Sequence, residues 1–168
     1  MGERSAGAEE SVQPRRAPGR ALWEFTWCCD LRCAHCLVDA GPSDLRELDT
    51  TEAVALVDQI AELGVTAVTL SGGEPLLRRD WIDVAERITR RGMIFRLSTT
   101  GNLVDEAVVE QLERIGAQRV VMSVDGTRET HDRIRRPAHS RAPSPFDRVA
   151  RAMDLLRPSS VGASVITS

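Results

Sequence analysis

From residue 21 onward, short apolar segments rich in β-branched residues alternate with amphipathic segments of helical periodicity. The segments predicted as strands cover residues 22–27, 65–70, 93–97, 120–124 and 161–166. Each of the four helical segments between them begins at a polar capping residue, namely Asp49, Asp80, Asp105 or Ser144. Strands that alternate with single helices pair in parallel through right-handed crossovers. The chain is therefore predicted to form an α/β fold, either an open doubly wound sheet or a β/α barrel.

Length and composition exclude several classes of protein. The 168 residues suffice for one domain, predicted over residues 21–168, and the polar residues 1–20 are predicted to be disordered. All 22 basic residues are Arg, which excludes lysine Schiff-base chemistry and a P-loop lysine. A net charge of −3 with only three Trp and three Phe argues against a nucleic-acid partner. No segment has the length and apolarity of a membrane span or a secretory signal, so a cytoplasmic protein without membrane contact is expected.

All four cysteines lie within nine residues, as Cys28, Cys29, Cys33 and Cys36. A cluster this tight indicates a metal centre, because disulfide-forming cysteines are spread along a chain to close loops. Cys29, Cys33 and Cys36 have the spacing C-x3-C-x2-C, and three thiolates on one short loop can bind three corners of a cubane iron–sulfur cluster. The fourth iron would then lack a protein ligand, and an open metal position can receive a substrate.

Two other interpretations of these cysteines stay open from the residues alone. Cys28, Cys33 and Cys36 match the plant-ferredoxin spacing C-x4-C-x2-C, although that site also needs a distant cysteine and none follows Cys36. Three cysteines with His35 could instead form a structural zinc site, although His35 directly precedes Cys36 and a closed tetrahedron through both is awkward.

Two further motifs follow predicted strands. The sequence Ser71-Gly72-Gly73-Glu74-Pro75 ends the second strand. Its glycines expose backbone that a ligand can approach, and the Glu74 carboxylate is an acceptor suited to an ammonium group. The sequence Ser123-Val124-Asp125-Gly126 ends the fourth strand and is followed by His131, Asp132 and Arg135.

The positions of these motifs favour a barrel over a doubly wound sheet. Barrel enzymes gather their sites at the carboxyl ends of the strands, where these residues fall. A Rossmann fold would need G-x-G-x-x-G after the first strand, where this chain has its cysteines. Residues 133–137 with Arg141 are predicted to form a basic loop, either as a solvated connection or as an anchor for a carboxylate-bearing substrate.

With these motifs in this order, residues 22–168 resemble the radical S-adenosylmethionine superfamily. The segment Trp23-Glu24-Phe25-Thr26 is similar to the branch that modifies peptides and haem precursors, which includes the pyrroloquinoline-quinone and mycofactocin maturases. The resemblance implies a [4Fe-4S] cluster on Cys29, Cys33 and Cys36, with S-adenosylmethionine chelated to the free iron. It also implies that Gly72, Gly73 and Glu74 bind the methionine ammonium. Ser123, Asp125 and Arg135 match a second cofactor-binding motif, in which the Ser and the Arg hold the ribose and the carboxylate.

The activity implied by the resemblance is reductive cleavage of S-adenosylmethionine to a 5′-deoxyadenosyl radical, which abstracts hydrogen from a peptide or small-molecule substrate. An external one-electron reductant would supply the electron. The alternative is a cluster- and S-adenosylmethionine-binding half-barrel that is non-catalytic or depends on a partner.

The family's usual barrel arc has six strands and six helices, whereas five and four are predicted here. The chain is therefore expected to form a partial barrel, either as a fragment of a longer enzyme or with a protein partner over its open edge.

Overall fold

The computed structural model describes residues 18–41, 46–139 and 141–167. Its strands and helices, in chain order, are β1 (Arg20–Thr26), β2 (Leu31–Cys33), α1 (Thr50–Glu62), β3 (Ala67–Gly72), α2 (Trp81–Arg90), β4 (Ile94–Thr99), α3 (Glu106–Arg114), β5 (Arg119–Ser123), α4 (Arg128–Ile134), β6 (Arg135–Pro137), α5 (Pro145–Leu156) and β7 (Gly162–Ile166). Residues 1–17 of the predicted disordered segment lie outside the described residues, and Arg20 already belongs to β1.

Five strands form one parallel sheet in the order β1-β3-β4-β5-β7. This arrangement confirms the predicted α/β class and the five parallel strands. The spatial order of the strands follows their order in the chain, so right-handed crossovers place the connecting helices on one face of the sheet. A doubly wound sheet would reverse its strand order at a switch point. The sheet is therefore an arc of a β/α barrel.

One hydrophobic core lies between this sheet and the helices. Alternate strand residues face the helices and are buried, as shown by Phe25, Leu70, Leu97 and Met122 on four neighbouring strands. The helices contribute Val57, Ile88, Leu112 and Leu156 to the same core. The opposite, concave face of the sheet is open, and Leu22 on that face is 70% exposed.

Three of the four predicted capping residues act as caps. Asp49 forms a capping box with Glu52, Asp105 accepts a hydrogen bond from the Val108 amide, and Ser144 accepts one from the Asp147 amide. Asp80 precedes α2 but makes no capping hydrogen bond. Its carboxylate instead accepts from Arg78 and from Thr50, so Asp80 occupies the predicted N-cap position of α2 without capping the helix through its side chain.

Besides a single 3-10 turn at Pro75–Leu77, the described residues form three short elements that the sequence pattern did not predict. Strands β2 and β6 pair antiparallel as a two-stranded ribbon, with Cys33 opposite Arg135, and α4 immediately precedes β6. Residues 133–137 are therefore the end of a helix and a strand, and the prediction of a loop was wrong. The polar sequence of α4 has no helical apolar period, so tertiary contacts decide its conformation. No helix in the described part of the chain is both long and apolar enough to cross a membrane.

Candidate metal and cofactor site

The three predicted cluster ligands meet at one cavity. Cys29 follows β1, Cys33 ends β2, and Cys36 follows in the same loop. All three residues line a cavity of about 340 Å³ at the carboxyl end of the sheet. Cys28 does not line this cavity; it lines a neighbouring one, which Cys29 also borders. Of the four cysteines, only Cys29, Cys33 and Cys36 share the first cavity.

Each of these three sulfur atoms accepts one N–H group. The Leu31 amide lies 3.4 Å from Cys29 Sγ, the Ala40 amide lies 3.3 Å from Cys36 Sγ, and Arg135 Nη1 lies 3.8 Å from Cys33 Sγ. Donors aimed at sulfur stabilise the thiolate form that binds iron. The loop is therefore prearranged for thiolate ligands.

The cysteine loop is held in place by the ribbon and by the turn after β4. The Ala34 amide donates to the Ile134 carbonyl, and the Ala138 amide donates to the Asp30 carbonyl. The Asp30 carboxylate also accepts a 2.8 Å hydrogen bond from Asn102 Nδ2. These contacts join residues far apart in the sequence, so the loop keeps its shape through tertiary structure.

The donor set fits an iron–sulfur cluster. Thiols are the soft ligands that such clusters use, and each thiolate of a cubane cluster binds its own iron corner. In residues 18–41, 46–139 and 141–167, no three His, Cys, Asp or Glu side chains are grouped to hold a single metal ion. The three thiols that line this cavity are the ligand type that an iron–sulfur cluster uses.

Burial affects the protonation of the Cys29 and Cys33 thiols. It raises the pKa of the Cys29 thiol to about 12, against the opposing effect of the Leu31 amide. Burial also raises the pKa of Cys33, while the Arg135 charge lowers it. Iron binds thiolates, so cluster binding releases protons from these groups and becomes more favourable as pH rises.

The Gly72-Gly73 turn forms another wall of the same cavity. A Cβ atom at Gly72 would lie 2.3 Å from the Thr26 carbonyl oxygen, and one at Gly73 would lie 2.1 Å from the Cys28 carbonyl oxygen. Gly72 also has a φ of +122°, which side-chain-bearing residues rarely adopt. Glycine is needed here because the turn packs directly on the backbone that leads into the cysteine loop.

Glu74 is buried beside the cavity and does not line it. Its side chain is fully buried, and its carboxylate accepts hydrogen bonds from the Thr99 hydroxyl, the Thr100 hydroxyl, the Thr100 amide and the Leu76 amide. Burial raises the pKa of Glu74, and these donors oppose the shift. The carboxylate fixes the Gly-Gly-Glu turn to the end of β4. The sequence analysis missed Thr99 and Thr100 as its partners, because a Thr-Thr turn after a strand carries no specific signal.

Arg135 lies in the cavity wall, and Asp125 lies behind it. The buried Asp125 carboxylate accepts a 2.7 Å hydrogen bond from Arg135 Nε and lies 3.4 Å from His35 Nε2. Ser123 ends β5 and is half-buried. Among the described residues that line the cavity, Arg135 is present, but Ser123, Asp125 and Glu74 are not. The structure thus brings together the three cysteines, Gly72, Gly73 and Arg135.

The fold and the site define a β/α barrel arc with a three-cysteine loop at the carboxyl ends of its strands. Residues 23–167 match the family model described as the Radical SAM superfamily. The chain belongs to the radical S-adenosylmethionine superfamily. Members of this superfamily use a [4Fe-4S] cluster and S-adenosylmethionine.

Curated relatives of this chain are enzymes. The AdoMet-dependent heme synthase of Methanosarcina barkeri is 38% identical over 143 residues, covering 84% of this chain and 40% of the relative. The mycofactocin maturase MftC of Mycolicibacterium smegmatis is 31% identical over 141 residues, covering 83% of this chain and 34% of the relative. The chain therefore spans less than half the length of these relatives.

The solved structure described as native anSMEcpe with bound AdoMet and Cp18Cys peptide has the same fold. It matches with a TM-score of 0.70 and 20% sequence identity, over 87% of this chain and 41% of that one.

Proposed function

We propose that this protein binds a [4Fe-4S] cluster through Cys29, Cys33 and Cys36, and S-adenosylmethionine at the iron that these cysteines leave free. The observation that carries this proposal is the single cavity shared by the three thiols and the Gly72-Gly73 turn. When bound, the two cofactors supply a 5′-deoxyadenosyl radical that takes a hydrogen atom from the substrate, at the cost of one electron from an external reductant.

The residues of this chain hold and orient the cofactors in this proposal. The Gly72-Gly73 turn offers its cavity-lining backbone to the methionine ammonium group. Glu74 keeps that turn in place through Thr99 and Thr100, and so positions the backbone that contacts the ammonium group. Ser123 is assigned to the ribose on its match to the family motif alone; it ends β5, the strand beside β4.

Arg135 is assigned to the cofactor carboxylate in the same proposal. A guanidinium carries five N–H donors, and those of Arg135 that do not contact Asp125, His35 or Cys33 remain available. Asp125 orients the guanidinium toward the cavity.

The substrate is proposed to be a peptide or a small molecule. The matched maturase and heme synthase support both classes, and the solved structure that shares the fold is described with bound AdoMet and a bound peptide. Other proposed partners are a one-electron reductant and a protein that covers the β7 edge, where Val165 and Ile166 are 53% and 55% exposed. The reducing conditions that the four free cysteines require favour a cytoplasmic location.

Anaerobic reconstitution with iron and sulfide tests the proposal. We expect about four irons and matching acid-labile sulfide per chain, by the stoichiometry of a cubane cluster. Replacing Cys29, Cys33 or Cys36 with Ala should remove the cluster, because each thiolate binds one corner.

Cys28→Ala is the matched control, since Cys28 does not line the cavity that Cys29, Cys33 and Cys36 share and should be dispensable. Loss of the cluster in Cys28→Ala, or one zinc ion without sulfide in the parent protein, would contradict the proposed site.

A further inference from the structure

Arg135 and Cys33 face each other in the β2–β6 ribbon. The two residues are register partners in the antiparallel pair, and Arg135 Nη1 lies 3.8 Å from Cys33 Sγ. The Arg135 side chain is only 11% exposed. A charge this close to the sulfur, and largely removed from bulk water, is screened weakly.

The guanidinium is held by groups that are not proposed cluster ligands. Asp125 Oδ2 accepts from Arg135 Nε at 2.7 Å, and His35 Nε2 lies 3.3 Å from Arg135 Nη2. The Asp125 side chain is 3% exposed, so this ion pair is buried. Arg135 therefore reaches Cys33 from a fixed position, whether or not the cysteines bind a cluster.

We propose that Arg135 is a positioning residue that raises the reduction potential of the cluster by placing its positive charge against the sulfur of Cys33. This inference rests on the proposed function, because it requires the cluster. It is separate from any contact between Arg135 and S-adenosylmethionine, since it concerns the cluster and its thiolates alone.

The direction of the effect follows from charge. Reduction moves one electron from the external reductant to the cluster, which makes the cluster and its thiolates more negative. Asp125 offsets part of the Arg135 charge, but it binds at Nε whereas Nη1 faces Cys33 Sγ, so the positive end of this ion pair is directed at the sulfur. A cation held beside one of these thiolates stabilises the reduced state more than the oxidised state. Hydrogen bonds to ligand sulfurs act in the same direction. The donors to Cys29 and Cys36 are neutral amides, whereas the donor to Cys33 carries a full charge.

An EPR-monitored redox titration without S-adenosylmethionine tests the inference. The reconstituted proteins to compare are the parent, Arg135→Gln, Arg135→Lys and Arg136→Gln, with dithionite as reductant. In Arg135→Gln we expect the equilibrium constant for cluster reduction to fall at least tenfold, which is a midpoint lowered by 59 mV for one electron. The midpoint of Arg135→Lys should lie between those of Arg135→Gln and the parent protein. Lysine keeps the charge but lacks the planar guanidinium that contacts Asp125 and Cys33 at the same time.

Arg136→Gln is the control. Arg136 is the next residue on β6, is exposed, and donates to the Arg133 carbonyl, so its removal should leave the midpoint unchanged. The inference would be overturned if Arg135→Gln retained its full iron content and had the same midpoint potential as the parent protein. If Arg135→Gln loses its iron, Arg135→Met decides, because it removes the charge but keeps a long side chain: a lowered midpoint supports the inference and a midpoint equal to that of the parent protein overturns it. Failure of the parent protein to bind a cluster would instead count against the proposed function.

Discussion

Gly73 lies where the turn after β3 crosses the backbone that leads into the cysteine loop. The Gly73 amide donates to the Thr26 carbonyl at 2.7 Å, and the Glu74 amide donates to the Cys28 carbonyl at the same distance. A Cβ atom at Gly73 would lie 2.1 Å from the Cys28 oxygen and 2.7 Å from its carbonyl carbon. Because these neighbours are backbone atoms, they cannot move aside without moving the loop.

Gly73→Ala should therefore weaken both folding and cluster binding. We expect the free energy of unfolding to fall by about 1–3 kcal/mol, as for other cases of overpacking, and the iron content after reconstitution to fall with it. Denaturant unfolding and iron analysis measure the two effects. Gly19→Ala is the matched control, because a Cβ atom at Gly19 has no neighbour within 4 Å. Equal losses in the two variants would show that the close approach at Gly73 has no energetic effect.

Sequence identified Glu74 as part of the site but not the direction of its side chain. The spacing of the Gly-Gly-Glu-Pro motif places Glu74 directly after a strand, and either face of the turn is compatible with that position. The direction is decided by Thr99 and Thr100, which lie more than twenty residues away and satisfy the buried carboxylate. Whether a polar side chain points inward depends on such distant partners, which a local motif does not contain.

At the scale of elements, the sequence predicted those helices and strands that have a regular apolar pattern and a capping residue. Helices α1, α3 and α5 begin where Asp49, Asp105 and Ser144 indicate, and the five sheet strands lie within a few residues of the predicted segments. Helix α4 and the β2–β6 ribbon lack such a period, and their hydrogen bonds join segments about 100 residues apart. These short elements are stabilised by tertiary contacts, so local sequence carries little signal for them.

Helix α4 is anchored by one buried histidine. His131 is 1% exposed, its ring packs edge-on against Phe146, and its Nδ1 accepts a 3.2 Å hydrogen bond from the Asp125 amide. An accepting Nδ1 requires the neutral ring. Burial and then the Arg135 charge lower the pKa of His131, against the opposing effect of Asp125. The folded protein thus binds the His131 proton less readily than the unfolded chain.

The lower pKa of His131 in the folded protein than in the unfolded chain determines how the free energy of unfolding depends on pH. In the unfolded chain His131 has a pKa of about 6.5, so below this pH the unfolded chain is protonated at His131 while the folded protein is not. The free energy of unfolding therefore falls as pH falls. The slope for one such group reaches at most about 1.4 kcal/mol per pH unit. His131→Asn keeps an acceptor near the Asp125 amide but does not titrate.

We expect His131→Asn to flatten the decline in unfolding free energy between pH 6.5 and lower values, measured by denaturant titration of the cluster-free protein. His139→Asn, at an exposed position, is the control and should keep the parent slope. An unchanged slope in His131→Asn would assign the pH dependence to other groups.

At the scale of the whole molecule, one face of the sheet is closed and the other is open. The helices bury the convex face in a continuous core, whereas Leu22 on the concave face and Leu37 beside the cysteines are 70% and 100% exposed. The proposed cofactor contacts, from Cys29 to Arg135, lie on the first four strands of the sheet, the turns that follow them and the β2–β6 ribbon. In the described part of the chain, no element covers the cavity from the side opposite the sheet.

This asymmetry predicts that the chain binds S-adenosylmethionine but does not couple its cleavage efficiently to a substrate. S-adenosylmethionine should change the EPR spectrum of the reduced cluster, because its proposed contacts are present. The rate of 5′-deoxyadenosine formation should be well below the value of about 1–10³ s⁻¹ that is typical of enzyme turnover. The reason is that water has access to the site. Added candidate peptides should not accelerate its formation.

The measurement is anaerobic product analysis by chromatography, with Cys33→Ala as the cluster-free control that should give neither signal. Rapid turnover that depends on added substrate would show that the described fold is sufficient for catalysis. An EPR spectrum unaffected by S-adenosylmethionine would instead leave cluster binding as the only function of this fold, because the Gly72-Gly73 turn and Arg135 would then line the cavity without holding a second cofactor.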